Sequence, residues 1–166
     1  GDTKNTKSEC WLMEDNKLVH KMCEWNSGIY KIFDEILTNA SDEFQRNNSV
    51  NCIKVEINED FLSVFNNSGI PIEVHPEYKI YIPELIFGNL LTSSNFDDTQ
   101  KRTTGGLHGL GAKLTAVFSK EFTVETACGG KKYTQTFKCN LSEIEKPKIS
   151  KSTKEYTKIT FKPDFE

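Results

Sequence analysis

The sequence predicts an α+β domain in which helices pack on one face of a mixed β-sheet. Three observations favour this fold class: a long amphipathic helix in the first third, several later segments in which apolar and polar residues alternate, and no repeating strand-helix-strand rhythm. A chain of 166 residues fits one domain that buries roughly 70% of the surface its unfolded chain would expose.

The first predicted element is an amphipathic helix over 29–46, about 27 Å long at 1.5 Å per residue. Its apolar residues recur at helical spacing: Ile29, Ile32, Phe33, Ile36, Leu37 and Ala40. Segments 52–57 and 61–65 then alternate apolar and polar residues on either side of a short polar loop, which predicts a β-hairpin. A turn containing glycine and proline follows at 68–71.

Pro83 stands at a suitable first position for a short apolar helix that runs to Leu91. The polar, glycine-rich stretch over 92–111 is too long for an ordinary connection, and stretches of this kind are usually functional or disordered. After it the pattern predicts a helix over 110–119. Three more strands are expected over 122–126, 132–139 and 155–161.

Composition excludes several classes of protein. Hydrophobic residues make up 36% and charged residues 27%, and no apolar run is long enough to span a bilayer. The polar N-terminus does not resemble a secretory signal. The five cysteines have no zinc-ligand spacing and are interpreted as free thiols. We therefore expect an intracellular protein. A net charge of -3 gives this chain no basic surface for gripping nucleic acid by itself.

Glu35, Asn39 and Asp42 form the first candidate site. Their spacing of i, i+4 and i+7 places all three within about 60° of one helix face. A carboxylate can polarise a water for attack on a phosphoryl group, and a neutral amide oxygen can ligate Mg²⁺. Taken alone, the triplet is more simply explained as the solvated face of an ordinary helix.

A glycine cluster over 105–111 is the second candidate site. Its successive backbone N–H groups could cradle phosphate oxygens, and a helix starting near Leu110 would add the positive end of its dipole. A Walker A loop is not matched because Ala112 separates Gly111 from Lys113, and a dinucleotide fingerprint requires a strand immediately before it. A flexible surface loop remains the alternative.

The spacing Glu35-x3-Asn39-x2-Asp42 resembles the N-box of the GHKL ATPases, the superfamily of DNA gyrases, topoisomerases II, heat-shock chaperones, MutL-type repair proteins and sensor histidine kinases. Further segments narrow the resemblance to eukaryotic-type DNA topoisomerase II: 29–42, 66–71, 81–88, 90–98, 105–114 and 122–127. The resemblance implies a two-layer α/β sandwich of the GHKL (Bergerat) type. Chaperones and repair ATPases of this fold are disfavoured by the segments around Ser93 and over 105–114.

The resemblance also implies ATP and Mg²⁺ as cofactors and assigns roles to residues. Glu35 would be the catalytic base, Asn39 the Mg²⁺ ligand and Asn66 a contact near the adenine and ribose, with Asp42 in a supporting role. The remaining nucleotide contacts would come from Ser93, Ser94, Asn95, Gly106, Leu107, His108, Gly109, Leu110, Gly111, Ala112 and Lys113.

Two departures from the family pattern bear on these contacts. The glycine-rich lid carries Leu107 and His108 where the family usually has arginine and asparagine, and His108 is either a phosphate contact or an exposed loop residue. The usual Asn-Asn-Gly-x-Gly turn is shortened to Asn66-Asn67-Ser68-Gly69. We therefore expect an altered geometry at the adenine end.

The same resemblance predicts an N-terminal arm over 1–27 and a GHKL domain over 28–166. It implies a nuclear protein that dimerises through the arm around bound ATP and engages duplex DNA through domains beyond this region, with no membrane contact. The family's γ-phosphate lysine lies in a transducer domain that follows, so we expect nucleotide binding with little turnover. A nucleotide-binding switch that does not hydrolyse ATP is the alternative.

Overall fold

The computed structural model describes residues 4–89 and 110–164. By its contacts the chain divides into two compact units, Gly1–Lys31 and Ile32–Glu166. All five cysteines are free thiols, as the sequence predicts.

The first unit contains a hairpin that the sequence analysis did not predict. Strands β1 (Asn5–Glu14) and β2 (Lys17–Asn26) pair antiparallel along their whole length. The turn between them is formed by Asp15 and Asn16, whose φ angles of 47° and 60° are left-handed, as a two-residue type I′ turn requires. Aspartate and asparagine adopt this conformation more readily than other side chains do.

Helix α1 (Ser27–Arg46) follows and is capped by Asn26. The side-chain Oδ1 of Asn26 accepts a hydrogen bond of 3.1 Å from the backbone N–H of Ile29, which satisfies one of the donors left unpaired at a helix start. The helix therefore begins two residues before the predicted Ile29.

The second unit is built on a seven-stranded sheet within the described residues. The strands are β3 (Ile53–Ile57), β4 (Leu62–Asn66), β5 (Ser119–Cys128), β6 (Lys131–Lys138), β7 (Glu143–Ile144), β8 (Lys148–Lys151) and β9 (Tyr156–Pro163). Their order is β3-β4-β9-β5-β6-β7, with β8 paired to β6, and the described pairings are antiparallel. The predicted hairpin is confirmed as β3–β4, whereas β7 and β8 were not predicted.

Helices α2 (Ile82–Gly88) and α3 (Leu110–Val117) complete this unit. All three helices contribute to the same apolar cluster as strands β4, β5, β6 and β9: Ile32, Ile36, Ala40, Val64, Phe87, Ala112, Ala116, Phe122, Val124, Phe137, Ile159 and Phe161. The fully buried Phe122 ring lies 5.8 Å from the ring of Phe87 and 6.2 Å from that of Phe137. The α+β fold class is confirmed, with helices packed against one face of the sheet.

A buried polar chain ties α2 to the sheet. The hydroxyl of Tyr133 donates to Gln135, and Gln135 Nε2 donates to Glu84 Oε2 on α2 at 2.9 Å. Burial, with the nearby Glu84 carboxylate, raises the pKa of Tyr133 above its ordinary range. Tyr133 therefore remains a neutral donor, and α2 is held at a fixed place on β6.

Candidate functional site

Helix α1 presents Glu35 and Asn39 on one face while its apolar stripe is buried. Ile32, Ile36 and Ala40 are at most 6% exposed and anchor the helix in the core. Asn39 is exposed, and Glu35 is half-buried. The helix is therefore fixed by one face and offers the amide and the carboxylate on another, as the spacing predicts.

Glu35 lies directly against the start of α3. A Cβ atom built on Gly111 would stand 1.9 Å from Glu35 Oε2 and 2.4 Å from its Cδ, so a larger residue at 111 would collide with the carboxylate. The two helices are joined nearby, since Thr115 Oγ1 donates a 2.9 Å hydrogen bond to the backbone carbonyl of Ile32. Glycine at 111 allows the carboxylate and the helix start to approach each other.

The first turn of α3 places a buried lysine beside the N–H groups of the helix start. The first N–H groups of a helix have no partner within it, and its dipole makes this end positive. Lys113 is only 3% exposed, and burial lowers the pKa of its ammonium group. This end of the site is therefore suited to anions.

A cavity of about 390 Å³ lies between α1, α2, the start of α3 and strands β4 and β9. This volume falls within the range of small-molecule sites. Most of the wall is apolar and a few polar residues interrupt it: Asn39, Glu43, Arg46, Asn66, Ser68 and Thr157. Such a lining suits a flat apolar ring with a few hydrogen-bonding groups.

A ladder of hydroxyl groups lies beneath the loop over 66–71. Thr157 Oγ1 donates to the carbonyl of Ser68 at 2.7 Å and lies 3.0 Å from Thr126 Oγ1, which accepts from the N–H of Ile70 at 2.9 Å. Asn66 Oδ1 accepts from the N–H of Ser68 at 2.9 Å. The loop over 66–71 is therefore bonded to the sheet at several points.

Gly69 allows this loop to approach the sheet backbone. A Cβ at Gly69 would stand 2.1 Å from the carbonyl oxygen of Ala127 and 2.8 Å from Cys128 Cβ. Both neighbours belong to β5, so the contact cannot be relieved by rotation of one flexible side chain. The shortened turn predicted at 66–69 is thus compact and closely packed.

The structure brings some predicted site residues together. Asn39, Asn66 and Ala112 line one cavity, and Gly111 meets Glu35 beside it. Asp42 is half-buried and is not among the residues that line the cavity in the described part of the chain. Leu110 begins α3, and the predicted contacts that lie outside the described residues are Ser93, Ser94, Asn95, Gly106, Leu107, His108 and Gly109.

Four polar lining residues were not predicted as site residues from the sequence: Glu43, Arg46, Ser68 and Thr157. Glu43 stands one helical turn after Asn39, so helical spacing could have found it. Thr157 enters the site because β9 pairs with β4, where it lies opposite Asn66. That pairing joins distant parts of the chain and leaves no local signal.

Comparisons with known proteins place this geometry in a family. No protein-family model matches the sequence. The probable DNA topoisomerase 2 of Dictyostelium discoideum is 51% identical over 173 residues, which covers 100% of this chain and 11% of that protein. The DNA topoisomerase 2 of Pisum sativum is 49% identical over 173 residues, covering 100% of this chain and 12% of that protein. The ATPase region of Saccharomyces cerevisiae topoisomerase II matches with a TM-score of 0.90 at 45% identity, covering 99% of this chain and 46% of that chain.

The chain belongs to the family of eukaryotic-type DNA topoisomerase II ATPase regions. It spans only about a tenth of the length of the curated topoisomerases it matches. A more distant match, the 43K ATPase domain of Thermus thermophilus gyrase B, has a TM-score of 0.66 at 29% identity and covers 82% of this chain and 34% of that chain. The fold of this chain is therefore the GHKL ATPase fold that topoisomerase II and gyrase B share.

Proposed function

We propose that this chain is the ATP-binding and ATP-hydrolysing module of a type II DNA topoisomerase, with the nucleotide in the cavity between α1, α3 and the sheet. The observation that supports this most strongly is the meeting of Glu35 on α1 with Gly111 at the start of α3, beside Asn39 at the cavity wall. A carboxylate, an amide oxygen and a helix start suited to anions converge there. These groups suit phosphoryl transfer to water.

The apolar part of the cavity would receive the nucleoside. Ile70, Ile86 and Ile159 offer surface to a planar base, and Asn66 and Thr157 offer polar atoms at its edge. Base and ribose would then stand against the sheet, with the phosphates directed towards α3. This orientation agrees with the role that the family resemblance gives to Asn66.

The start of α3 would hold the phosphates. Backbone N–H groups at Gly111 and Ala112 belong to the first turn, where anions are stabilised by unpaired donors and by the helix dipole. Residues 93–95 and 106–110 would complete the enclosure, as the resemblance implies. His108 within that stretch would contact phosphate.

Asn39 fits the role of a Mg²⁺ ligand. Mg²⁺ that is bound with a nucleotide takes one or two protein ligands and the substrate phosphates, and it prefers oxygen donors. Asn39 offers an amide oxygen at the cavity wall, one helical turn from Glu35. When bound, the ion would neutralise charge on the phosphates.

Glu35 would act as the general base. Its carboxylate oxygen is held against Gly111, beside the phosphate end of the cavity, where it can accept a proton from an attacking water. Asp42, about two helical turns after Glu35 on α1, would support the hydration of this site. The hydrolytic role requires the γ-phosphate to lie next to α3.

Calorimetry with ATP and a non-hydrolysable analogue, with and without Mg²⁺, tests this proposal. The wild-type chain should bind both ligands, and Mg²⁺ should tighten binding. Asn39→Ala should lose most of that tightening, whereas Asn48→Ala, an exposed asparagine just beyond α1, should keep it. No binding by the wild type would refute the site, and an undiminished Mg²⁺ effect in Asn39→Ala would refute the ligand assignment.

The assembly of the whole protein is also part of the proposal. We infer a homodimer in the nucleus that acts on duplex DNA through regions beyond this chain. One face of the β1–β2 hairpin presents Trp11, Met13, Leu18 and Met22, each between 62% and 66% exposed. Four large apolar side chains exposed on one face favour an interaction surface. Size-exclusion chromatography with a non-hydrolysable analogue should show a dimer for the wild type and a monomer for the double variant Trp11→Ser/Met22→Ser. A monomer for both proteins would contradict the role of the arm in dimerisation.

For the described residues, no helix is long and apolar enough to cross a membrane.

A further inference from the structure

Ser68 uses each of its polar groups to fix the loop over 66–71 at the cavity rim. Its N–H donates to Asn66 Oδ1 at 2.9 Å, and its carbonyl accepts from Thr157 Oγ1 at 2.7 Å. Its hydroxyl donates to Glu43 Oε1 on α1 at 2.9 Å. The first two bonds attach the loop to the sheet, whereas the third crosses to the opposite wall of the cavity.

Glu43 is held in place by its neighbours on α1. Its Oε1 also accepts from Asn47 Nδ2 at 3.3 Å, and its Oε2 lies 3.4 Å from a guanidinium nitrogen of Arg46. Its side chain is 31% exposed and lines the cavity. The carboxylate is thus oriented towards Ser68 before any ligand enters.

We propose that Glu43 is a positioning residue: its hydrogen bond to Ser68, here called the latch, joins α1 to the loop over 66–71 and sets the affinity for the nucleoside part of the ligand. The inference rests on the proposed nucleotide site. The latch lies within the shortened turn, because the hydroxyl that Ser68 supplies there fastens the loop to α1.

A competing role for Glu43 is purely electrostatic. A carboxylate at the wall of a site for a polyanion would repel phosphates, and the repulsion would grow with the number of phosphates. The latch acts on the loop beside the nucleoside, so its effect should be the same for adenosine, ADP and ATP. The two roles therefore predict opposite results on removal of the side chain.

The test measures dissociation constants of adenosine, ADP and ATP for the wild type, Glu43→Ala, Glu43→Gln, Ser68→Ala and the Glu43→Ala/Ser68→Ala pair. Glu43→Ala should weaken all three ligands by a similar factor of about tenfold, the usual worth of a hydrogen bond to a charged group. Glu43→Gln retains an oxygen acceptor and should restore most of the affinity. The double variant should be no weaker than either single one, since all three variants lack the same bond.

Glu56→Ala serves as the matched control, because Glu56 is an exposed carboxylate on β3 outside the cavity lining. It should leave all three affinities unchanged. Tighter ATP binding in both Glu43→Ala and Glu43→Gln, growing with phosphate number, would overturn the latch in favour of charge repulsion. Additive losses, or a lower melting temperature with unchanged affinities, would also overturn it. Failure of the wild type to bind any of the ligands would instead refute the proposed nucleotide site.

Discussion

At the end of the cavity that we propose for the nucleoside, Gly69 packs against the backbone of β5, whereas at the end that we propose for the phosphates Gly111 packs against the side chain of Glu35. A carbonyl oxygen within a sheet cannot move without breaking its strand pairing. A carboxylate at the end of a flexible side chain can rotate away. The proposed nucleoside end is therefore part of the framework of the fold, while the proposed phosphate end is adjustable.

Substitutions should separate the two ends. Changes at the nucleoside end should lower the free energy of unfolding, and binding would fall as a consequence. Changes at the phosphate end should leave stability almost intact and remove hydrolysis. Four predictions follow this contrast in order of their expected effect on stability.

Gly69→Ala should lower the free energy of unfolding more than the other three substitutions. Its Cβ would lie 2.1 Å from the carbonyl oxygen of Ala127, so the loop or β5 must shift. Overpacking of this kind costs about 3 kcal/mol of unfolding free energy. Urea denaturation followed by circular dichroism measures it, and a loss below about 0.5 kcal/mol would show that the nucleoside end is not rigid.

Thr157→Val should have the second-largest effect on stability. It should lower the free energy of unfolding by about 1–2 kcal/mol, because it removes the hydroxyl that donates to the carbonyl of Ser68 at 2.7 Å. Thr160→Val is the control on the same strand, since Thr160 lies three residues along and on the other face of β9. Equal losses of stability in the two variants would contradict a special role for the hydroxyl ladder.

Gly111→Ala should destabilise the fold by less than about 1 kcal/mol, since alanine favours a helix and the Glu35 side chain can move aside. It should nevertheless abolish most ATP hydrolysis, because the displaced carboxylate no longer lies beside the phosphate end. Hydrolysis would be assayed in a longer chain with the length of the matched yeast ATPase region, of which this chain covers 46%. Full activity of the variant would separate Glu35 from the catalytic step.

Glu35→Gln should change stability least, by about 0.5 kcal/mol or less, as expected for a partly exposed substitution of equal size. Its hydrolysis rate in the same longer chain should fall by roughly 10²-fold or more, while ATP affinity is retained. Loss of binding together with hydrolysis would assign Glu35 to substrate binding instead.

Local patterns were sufficient to predict the elements of the framework. Helix α1 was predicted because the buried residues Ile32, Ile36 and Ala40 recur at helical spacing. The same spacing predicted that Glu35 and Asn39 lie next to each other on one helix face. Apolar and polar residues alternate along β3, where Ile53, Val55 and Ile57 are separated by Lys54 and Glu56, and this alternation predicted the hairpin although Val55 and Ile57 are exposed. These signals are contained within about twenty residues of chain.

The rest of the site depends on contacts between distant segments. Thr157 bonds to Ser68 across 89 residues, which only the order β4-β9-β5 brings about. The β1–β2 hairpin also lacked a local signal, since Trp11 and Met13 on one of its faces are exposed and Leu12 on the other is only partly covered. Its apolar residues stand next to one another, over 10–13 and 18–19, so neither strand shows an alternation of apolar and polar residues.

Amide hydrogen exchange with and without a non-hydrolysable ATP analogue and Mg²⁺ tests most directly whether the cavity with these two ends is the nucleotide site. The proposal predicts slower exchange in segments 66–71 and 110–117 together, with little change in 131–151, which lies on the far strands β6 to β8. Protection of only one end, or of neither while the analogue is bound, would contradict a nucleotide that spans the cavity from the loop at Ser68 to the start of α3.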